Sequence, residues 1–216
     1  MTAQAIVFDF DGTIIDTEWP EFVTVQAEFR VHGLELELAE WQSVVGRADH
    51  PHWTAWLRTA LGRDYDVDIV MERRRMEHHR LIASQPVRHG VLDLLDRAAA
   101  AGVPVAVASS SPSSWVEGHL AERGLTHHFV GVVSRDHVER AKPWPDLFEA
   151  AARLLGVDPA SAVAIEDSHH GCTAAKDAGL ACLVVPNPVT DGMDFSHADL
   201  VLDSLSDAGP GVLGLP

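Results

Sequence analysis

The sequence is short of positive charge, and this shortage excludes some classes of partner. Its 216 residues include 16 Lys and Arg against 32 Asp and Glu, a formal net charge of −16 with histidine counted as neutral. Proteins that bind a phosphate backbone draw their affinity from clustered Lys and Arg, so we predict no nucleic-acid partner. An anionic membrane surface would repel the same acidic chain, and we predict no membrane partner either.

Long apolar runs and cysteines are also scarce. No run reaches the roughly 20 apolar residues of a membrane-spanning helix, and the first residues lack the basic, apolar and cleavage regions of a signal peptide. We therefore expect a cytoplasmic location. The two cysteines, Cys172 and Cys182, form no C-x-x-C pair and are expected to be buried, reduced thiols.

Short apolar runs alternate with stretches of helical spacing. The runs cover residues 5–8, 105–108, 129–133, 162–165, 181–185 and 200–202, and the predicted helices cover 90–101, 112–123, 145–155 and 169–178. Because alternating strands and helices form right-handed βαβ units, this order predicts an α/β fold with a doubly wound parallel sheet.

One segment departs from this alternation. Between residues 17 and 85 no strand pattern occurs, and apolar residues such as Phe22, Val25 and Phe29 recur at helical spacing. We predict an inserted α-helical cap over 17–85 and an α/β core over 1–16 and 86–216. Since the insert follows the first strand, it should lie above the carboxyl end of that strand like a lid.

Polar residues follow the apolar runs where parallel sheets bind their ligands, beyond the carboxyl ends of the strands. Four acids at these positions would together carry a charge of about −4, which is costly unless a cation shares the site. Their hard oxygen atoms suit Mg²⁺. The predicted metal-binding acids are Asp9, Asp11, Glu166 and Asp167.

A metal beside a lysine and a hydroxyl indicates a phosphate ligand. Asp9 is the candidate nucleophile, which would form an aspartyl-phosphate, and Asp11 is the candidate general acid and base. Ser109 and Lys142 would bind the phosphoryl oxygens. We also assign three residues to phosphate or substrate binding, partly because successive amides can form an anion nest: Gly12, Thr13 and Ser110.

These segments resemble the four motifs of the haloacid dehalogenase superfamily. Residues 9–13 (DFDGT) resemble the first motif, Ser109 the second, Lys142 the third and Glu166-Asp167 the fourth. Residues 14–18 (IIDTE), 142–148 (KPWPDLF) and 165–168 (IEDS) resemble the subgroup that contains β-phosphoglucomutase and sugar-phosphate phosphatases. The resemblance implies a Rossmann-like core with a helical cap. It also implies that Asp9, Asp167 and the backbone carbonyl of Asp11 hold Mg²⁺, with Glu166 nearby.

The resemblance leaves several reactions to compare. Dehalogenases proper lack the second aspartate of the first motif, so Asp11 argues against dehalogenation. The absence of lysine before residue 142 argues against a phosphonatase with a cap lysine. A mutase remains the alternative, although its cap histidine is replaced here by Pro20 or Glu21. A phospho-accepting signalling domain is disfavoured, because such domains carry no cap-sized insert.

We therefore predict a Mg²⁺-dependent phosphatase of a small phosphorylated metabolite, a sugar or polyol phosphate, present as a monomer or weak homo-oligomer. In the cap, Arg47 resembles a loop residue that reaches into the site and binds a second anionic or hydroxylated end of the substrate. Glu18 is assigned to substrate binding. Residues 73–75 (RRR) are interpreted as a solvated helix face, and Ser111 as a structural residue.

Overall fold

The computed structural model describes residues 3–47, 51–209 and 211–213. Its centre is a six-stranded sheet in the order β3-β2-β1-β4-β5-β6, in which every neighbouring pair is parallel. The strands are β1 Ala5–Phe8, β2 Val105–Ser109, β3 Val132–Ser134, β4 Ala162–Glu166, β5 Ala181–Val184 and β6 Leu200–Val201. The order reverses beside β1, so the crevice of this sheet lies at the carboxyl ends of β1 and β4.

Eight α-helices surround the sheet or form the insert in the described part of the chain. Four lie in the proposed insert over residues 17–85: α1 Glu18–Val31, α2 Leu38–Gln42, α3 Trp53–Leu61 and α4 Val67–Ala83. The others are α5 Val91–Ala101, α6 Ser113–Glu122, α7 Asp146–Leu155 and α8 His169–Asp177. No helix among the described residues is long and apolar enough to cross a membrane.

Alternate residues of β1 pack on opposite sides of the sheet. Ile6 and Phe8 belong to one hydrophobic cluster with residues of α5 and α6, whereas Ala5 and Val7 belong to another with residues of α7 and α8. Because successive side chains of a strand point to opposite faces, both faces of the sheet are covered. The predicted α/β, doubly wound fold is confirmed.

The third strand is shorter than predicted. It begins at Val132 rather than at residue 129. Phe129 lies before the strand and packs edge-on against Phe8, with ring centroids 6.3 Å apart. This apolar residue therefore packs in the core without belonging to the strand, which the apolar run alone does not reveal.

The helices of the insert share a hydrophobic cluster of their own. Phe22 and Phe29 of α1 pack there with Trp53 and Leu57 of α3, together with Val189 from the loop after β5. The cluster agrees with an insert that has its own core but contacts the sheet domain. We keep residues 17–85 as the proposed extent of the cap.

The interpretation of residues 73–75 as a solvated face is wrong for Arg74. Its side chain is buried, forms an ion pair with Glu21 and donates from Nε to Thr24 Oγ1 at 3.3 Å. Val70, Arg74, His78 and Ile82 are all buried at intervals of four residues. The arginine therefore lies on the inward face of α4, because residues four apart share one face of a helix.

The two ends of α5 provide a test of packing against the sheet domain. Gly90 has φ +86°, and a Cβ there would lie 2.3 Å from the backbone nitrogen of Ser206, whereas at Gly102, with φ +68°, nothing lies within 4 Å. We expect Gly102→Ala to lower the free energy of unfolding by about 1 kcal/mol through its left-handed backbone. Gly90→Ala should cost roughly 2–4 kcal/mol, since overpacking adds to the same strain. Urea unfolding measures both, and equal losses would contradict the close approach.

Candidate functional site

Lys142 lies between two carboxylates at the carboxyl end of the sheet. Its Nζ donates to Oδ1 of Asp9, which directly follows β1, and at 2.6 Å to Oε1 of Glu166, the last residue of β4. All three side chains are buried. The parallel strands thus bring residues that are far apart in sequence to one point, as their positions after apolar runs predicted.

Asp167 completes a cluster of three buried acids. Single carboxylate oxygens of Asp9, Glu166 and Asp167 all lie within 4.8 Å of one another. Oδ2 of Asp9 is buried and has no hydrogen-bond partner among the described residues. Both oxygens of Glu166, in contrast, are used: Oε2 accepts hydrogen bonds from the backbone amides of Asp167 and Ser168 and from Ser168 Oγ.

One buried ammonium does not balance three buried carboxylates. Burial raises the pKa of Asp9 to about 7, with Glu166 and Asp11 adding to the increase and Lys142 opposing it. Burial likewise raises the pKa of Asp167 well above its usual range, with Asp9 and Glu166 adding to the rise. Burial acts to lower the pKa of Lys142, but its two carboxylate neighbours raise it overall. With all three acids ionised, the cluster would carry more negative charge than Lys142 balances, and the raised pKa values show that this charged form is disfavoured.

These residues fit a hard divalent cation. Among the described residues, Oδ2 of Asp9 is a buried acceptor without a hydrogen-bond partner, and a carboxylate oxygen of Asp167 belongs to the same group of acids. Carboxylate oxygens are preferred ligands of Mg²⁺, and a dication would offset the excess charge. Asp9 and Asp167 are the two side chains that could hold it most directly.

The Asp11 carboxylate points to hydroxyls and an indole rather than to the acidic cluster. Oδ1 accepts hydrogen bonds from Thr17 Oγ1 at 3.0 Å and from Trp115 Nε1 at 2.8 Å. Oδ2 accepts from Ser109 Oγ at 3.2 Å and from Ser111 Oγ at 2.6 Å. The side chain is not among the oxygens of the three-acid group. A metal role for Asp11 therefore concerns its backbone carbonyl, as the family resemblance implies.

Ser111, which the sequence analysis interprets as a structural residue, lies in the site and donates from its hydroxyl to Oδ2 of Asp11 at 2.6 Å. Of the four side-chain hydrogen bonds to the Asp11 carboxylate among the described residues, the one from Ser111 has the shortest donor–acceptor distance. Ser109 and Ser111 are two residues apart after an extended strand, so their side chains can lie on one face. That spacing was visible in the sequence. Ser110 lines the cavity, and its buried Oγ has no partner among the described residues.

Gly12 and Thr13 lie behind Asp167 rather than on the cavity wall. The Gly12 amide donates to the carbonyl of Ile15 at 2.8 Å, so it is not free to bind an anion. A Cβ at Gly12 would lie 2.2 Å from Asp167 Oδ2. Thr13 Oγ1 contacts Asp167 Oδ1 at 3.5 Å and lines a second cavity. Both residues therefore pack against the Asp167 carboxylate, and their role in phosphate or substrate binding stays a prediction.

Two residues of the site were missed by the sequence analysis. Asn187 donates from Nδ2 to Asp167 Oδ2, and Arg88 donates to the backbone carbonyls of Gly12, Val185 and Pro186. Asn187 follows the apolar run of β5, so the rule that identified the other polar residues applies to it as well. No comparable pattern marks Arg88.

A cavity of about 730 Å³ lies between the acidic cluster and the insert. Gln42 of α2 donates to the carbonyl of Val189 at 2.8 Å, so the insert contacts the sheet domain beside the cavity. Glu18 and Arg47, both predicted to bind substrate, line the cavity wall. Burial raises the pKa of Glu18 well above its usual range, and Asp11 and Glu21 add to the increase. Other lining residues are Asp9, Asp11, Lys142, Ser110, Arg135 and His78.

The chain belongs to the haloacid dehalogenase-like hydrolase family, whose model matches residues 3–179. It is 38% identical to the Bacillus subtilis (strain 168) protein named "Putative phosphatase YhcW", over 94% of this chain and 93% of that one. It is 31% identical to fructose-1-phosphate phosphatase YqaB of Escherichia coli (strain K12), over 81% of this chain and 92% of that one.

Solved structures agree with this family. CbbY from Rhodobacter sphaeroides in complex with phosphate has a TM-score of 0.78 to this chain at 30% identity, and the match covers 96% of this chain and 97% of that one. Another structure of CbbY, a mutant, is in complex with xylulose-(1,5)bisphosphate. The predicted family and the predicted enzyme class, a haloacid dehalogenase-like hydrolase of the phosphatase type, are confirmed.

The raised pKa of Asp9 predicts how the metal-free protein responds to pH. Between the ordinary pKa of 3.8 and about 7, folded Asp9 keeps a proton that the unfolded chain has released, so the free energy of unfolding falls as pH rises. The decrease in the free energy of unfolding is up to about 4 kcal/mol, because the pKa rises from 3.8 to about 7 and each pKa unit corresponds to about 1.4 kcal/mol. Asp9→Asn should abolish this decrease, since asparagine does not titrate.

Urea unfolding with a chelator, at about pH 4.5 and about pH 7.5, measures the difference. The wild type should lose more stability than Asp9→Asn over this interval, whereas Asp96→Asn, at an exposed acid, should behave as the wild type does. If wild type and Asp9→Asn lose the same free energy of unfolding between these two pH values, the predicted proton uptake by Asp9 is contradicted.

Proposed function

We propose that this protein is a Mg²⁺-dependent phosphatase that hydrolyses a small phosphorylated metabolite, a sugar or polyol phosphate, through an aspartyl-phosphate at Asp9. The observation that carries the proposal is the buried Asp9 carboxylate on the cavity wall, with one oxygen held by Lys142 and the other without a partner among the described residues. A buried carboxylate with a free oxygen is suited to attack an electrophile that enters the cavity.

The reaction has two displacements at phosphorus. Asp9 attacks the phosphoryl group, the bond between phosphorus and the alcohol oxygen breaks, and Asp11 gives the leaving oxygen a proton. Asp11 then takes a proton from water, the water oxygen bonds to phosphorus, and the bond to Asp9 breaks to release phosphate. Lys142, Ser109 and Ser110 bind the phosphoryl oxygens through both steps.

Asp9 and Asp167 would hold Mg²⁺, together with the backbone carbonyl of Asp11. When bound, the ion supplies positive charge that offsets the charge of the phosphate and of the carboxylates around it. Thr13 and Asn187 hydrogen-bond the Asp167 carboxylate and so orient it. Such supporting contacts commonly determine how well a ligand set is aligned.

Polar and charged residues in the cavity lining support a polar, hydroxylated substrate. Glu18 offers acceptor oxygens for hydroxyl groups, and Arg47 and Arg135 offer donors for a second anionic or hydroxylated end. The relative named for fructose-1-phosphate and the structure with xylulose-(1,5)bisphosphate support sugar phosphates as the substrate class. The cytoplasmic location and the monomeric or weakly homo-oligomeric state stay predictions, as do the absent nucleic-acid and membrane partners.

Substitution of the nucleophile tests the mechanism. Asp9→Asn should lower phosphate release by at least about 1,000-fold, because loss of the covalent route removes most of the catalytic effect of such a site. Phosphate release with Mg²⁺ is measured on a panel of sugar and polyol phosphates, including a bisphosphate. Asp96→Asn is the matched control and should keep wild-type activity. Equal activity of Asp9→Asn and wild type would refute the proposed nucleophile.

The same assay separates hydrolysis from the mutase alternative. With β-glucose 1-phosphate as substrate, a phosphatase releases inorganic phosphate, whereas a mutase accumulates the 6-phosphate with little free phosphate. We expect free phosphate, because Pro20 and Glu21 stand where the mutase resemblance requires a cap histidine. Accumulation of the isomerised sugar phosphate would favour the mutase instead.

Binding of Mg²⁺ should also stabilise the fold. A ligand that binds only the folded state at about 100 times its Kd adds about 2.7 kcal/mol, so the melting temperature should rise when Mg²⁺ replaces a chelator. Asp167→Asn should reduce this rise because it removes one of the two acidic ligands. Asp199→Asn, which alters an exposed ion pair with Lys176, should not. If Mg²⁺ raises the melting temperature of Asp167→Asn as much as that of the wild type, the proposed ligand set is contradicted.

A further inference from the structure

Trp115 of α6 contacts both Asp11 and the insert. Its indole Nε1 donates to Oδ1 of Asp11 at 2.8 Å. Its ring stacks on the imidazole of His78 from α4, with centroids 5.9 Å apart and an interplanar angle of 12°. Trp115 therefore contacts both the Asp11 carboxylate, which is the proposed proton-transfer group, and α4 of the proposed cap. It also lines the cavity.

The indole differs chemically from the other partners of Asp11. Thr17, Ser109 and Ser111 approach through hydroxyls, which can rotate and either donate or accept. An indole N–H can only donate. Oδ1 of Asp11 is therefore kept as an acceptor by Trp115, and the other oxygen, Oδ2, is left to carry a transferable proton.

Cap residues hold the imidazole under the indole. His78 Nε2 lies 3.0 Å from Oε2 of Glu21, and the same carboxylate is ion-paired with Arg74. His119 of α6 packs edge-on against the indole, with centroids 4.2 Å apart. The Trp115 ring is thus held by aromatic contacts from two elements, which limits the directions in which its N–H can point.

We propose that Trp115 is a positioning residue for the reaction: it holds the Asp11 carboxylate so that Oδ2 delivers the proton to the leaving alcohol. The inference rests on the proposed phosphatase function. Trp115 does not touch the phosphoryl group in this role and acts only through Asp11. Its loss should therefore matter where the leaving group needs a proton and should matter little where it does not.

Trp115→Phe tests this role by removing the N–H while keeping an aromatic ring. With the best alkyl phosphate of the substrate panel, kcat/KM should fall about 10- to 30-fold, a fraction of the 10²–10⁴-fold that general acid catalysis typically contributes. With 4-nitrophenyl phosphate, whose leaving group is stable as an anion, kcat/KM should stay within about twofold of wild type. Trp19→Phe, at an exposed tryptophan of α1, is the matched control and should change neither value.

A second variant guards against a folding defect in Trp115→Phe. Replacement of Trp115 by 3-benzothienylalanine keeps the bicyclic ring and substitutes sulfur for the N–H, so it should reproduce the same selective loss. Equal losses on both esters, or no loss on either, would overturn the positioning role. A wild-type protein inactive on both esters would instead overturn the proposed function, and this inference with it.

Discussion

The Lys142 ammonium is shared by two buried carboxylates, and a third lies beside them, so the centre of this protein is electrostatically incomplete by itself. Removing charges from water is expensive unless opposite charges compensate them. A single lysine cannot compensate Asp9, Glu166 and Asp167 together, and the raised pKa values of Asp9 and Asp167 are the result. The proposal of a further cation rests on this imbalance rather than on any one ligand.

The surrounding residues keep the cluster in place despite its charge. The Arg88 side chain donates hydrogen bonds to backbone carbonyls on either side of the crevice. One carbonyl belongs to Gly12, in the loop after β1, and the others belong to Val185 and Pro186, after β5. Its own pKa is lowered, chiefly by burial. Arg88 also lies three residues after residue 85, where the proposed cap ends, so it supports both the acidic cluster and the junction between the proposed cap and the sheet domain.

Much of the sheet and of the acidic cluster could be predicted from the sequence, because both depend on strand order. A buried run such as Ala5–Phe8 identifies its strand, and parallel strands necessarily bring their carboxyl ends to one edge. Asp9, Lys142 and Glu166 meet there as expected. The contacts of Arg74, Arg88 and Trp115 could not be predicted in this way. They depend on which helix faces pack together, and no local pattern distinguishes a buried ion pair or an indole hydrogen bond from a surface residue.

The insert lies in the chain between β1 and β2, two strands that are adjacent in the sheet but far apart in sequence. Pairing these strands closes a long loop, and the entropy of closing a flexible loop grows only with the logarithm of its length, by about 0.6 kcal/mol for each doubling. Lengthening or shortening the insert is therefore a small perturbation to the sheet. Under the proposed function, such a chain can exchange the insert that lines its substrate cavity while the acidic cluster stays unaltered.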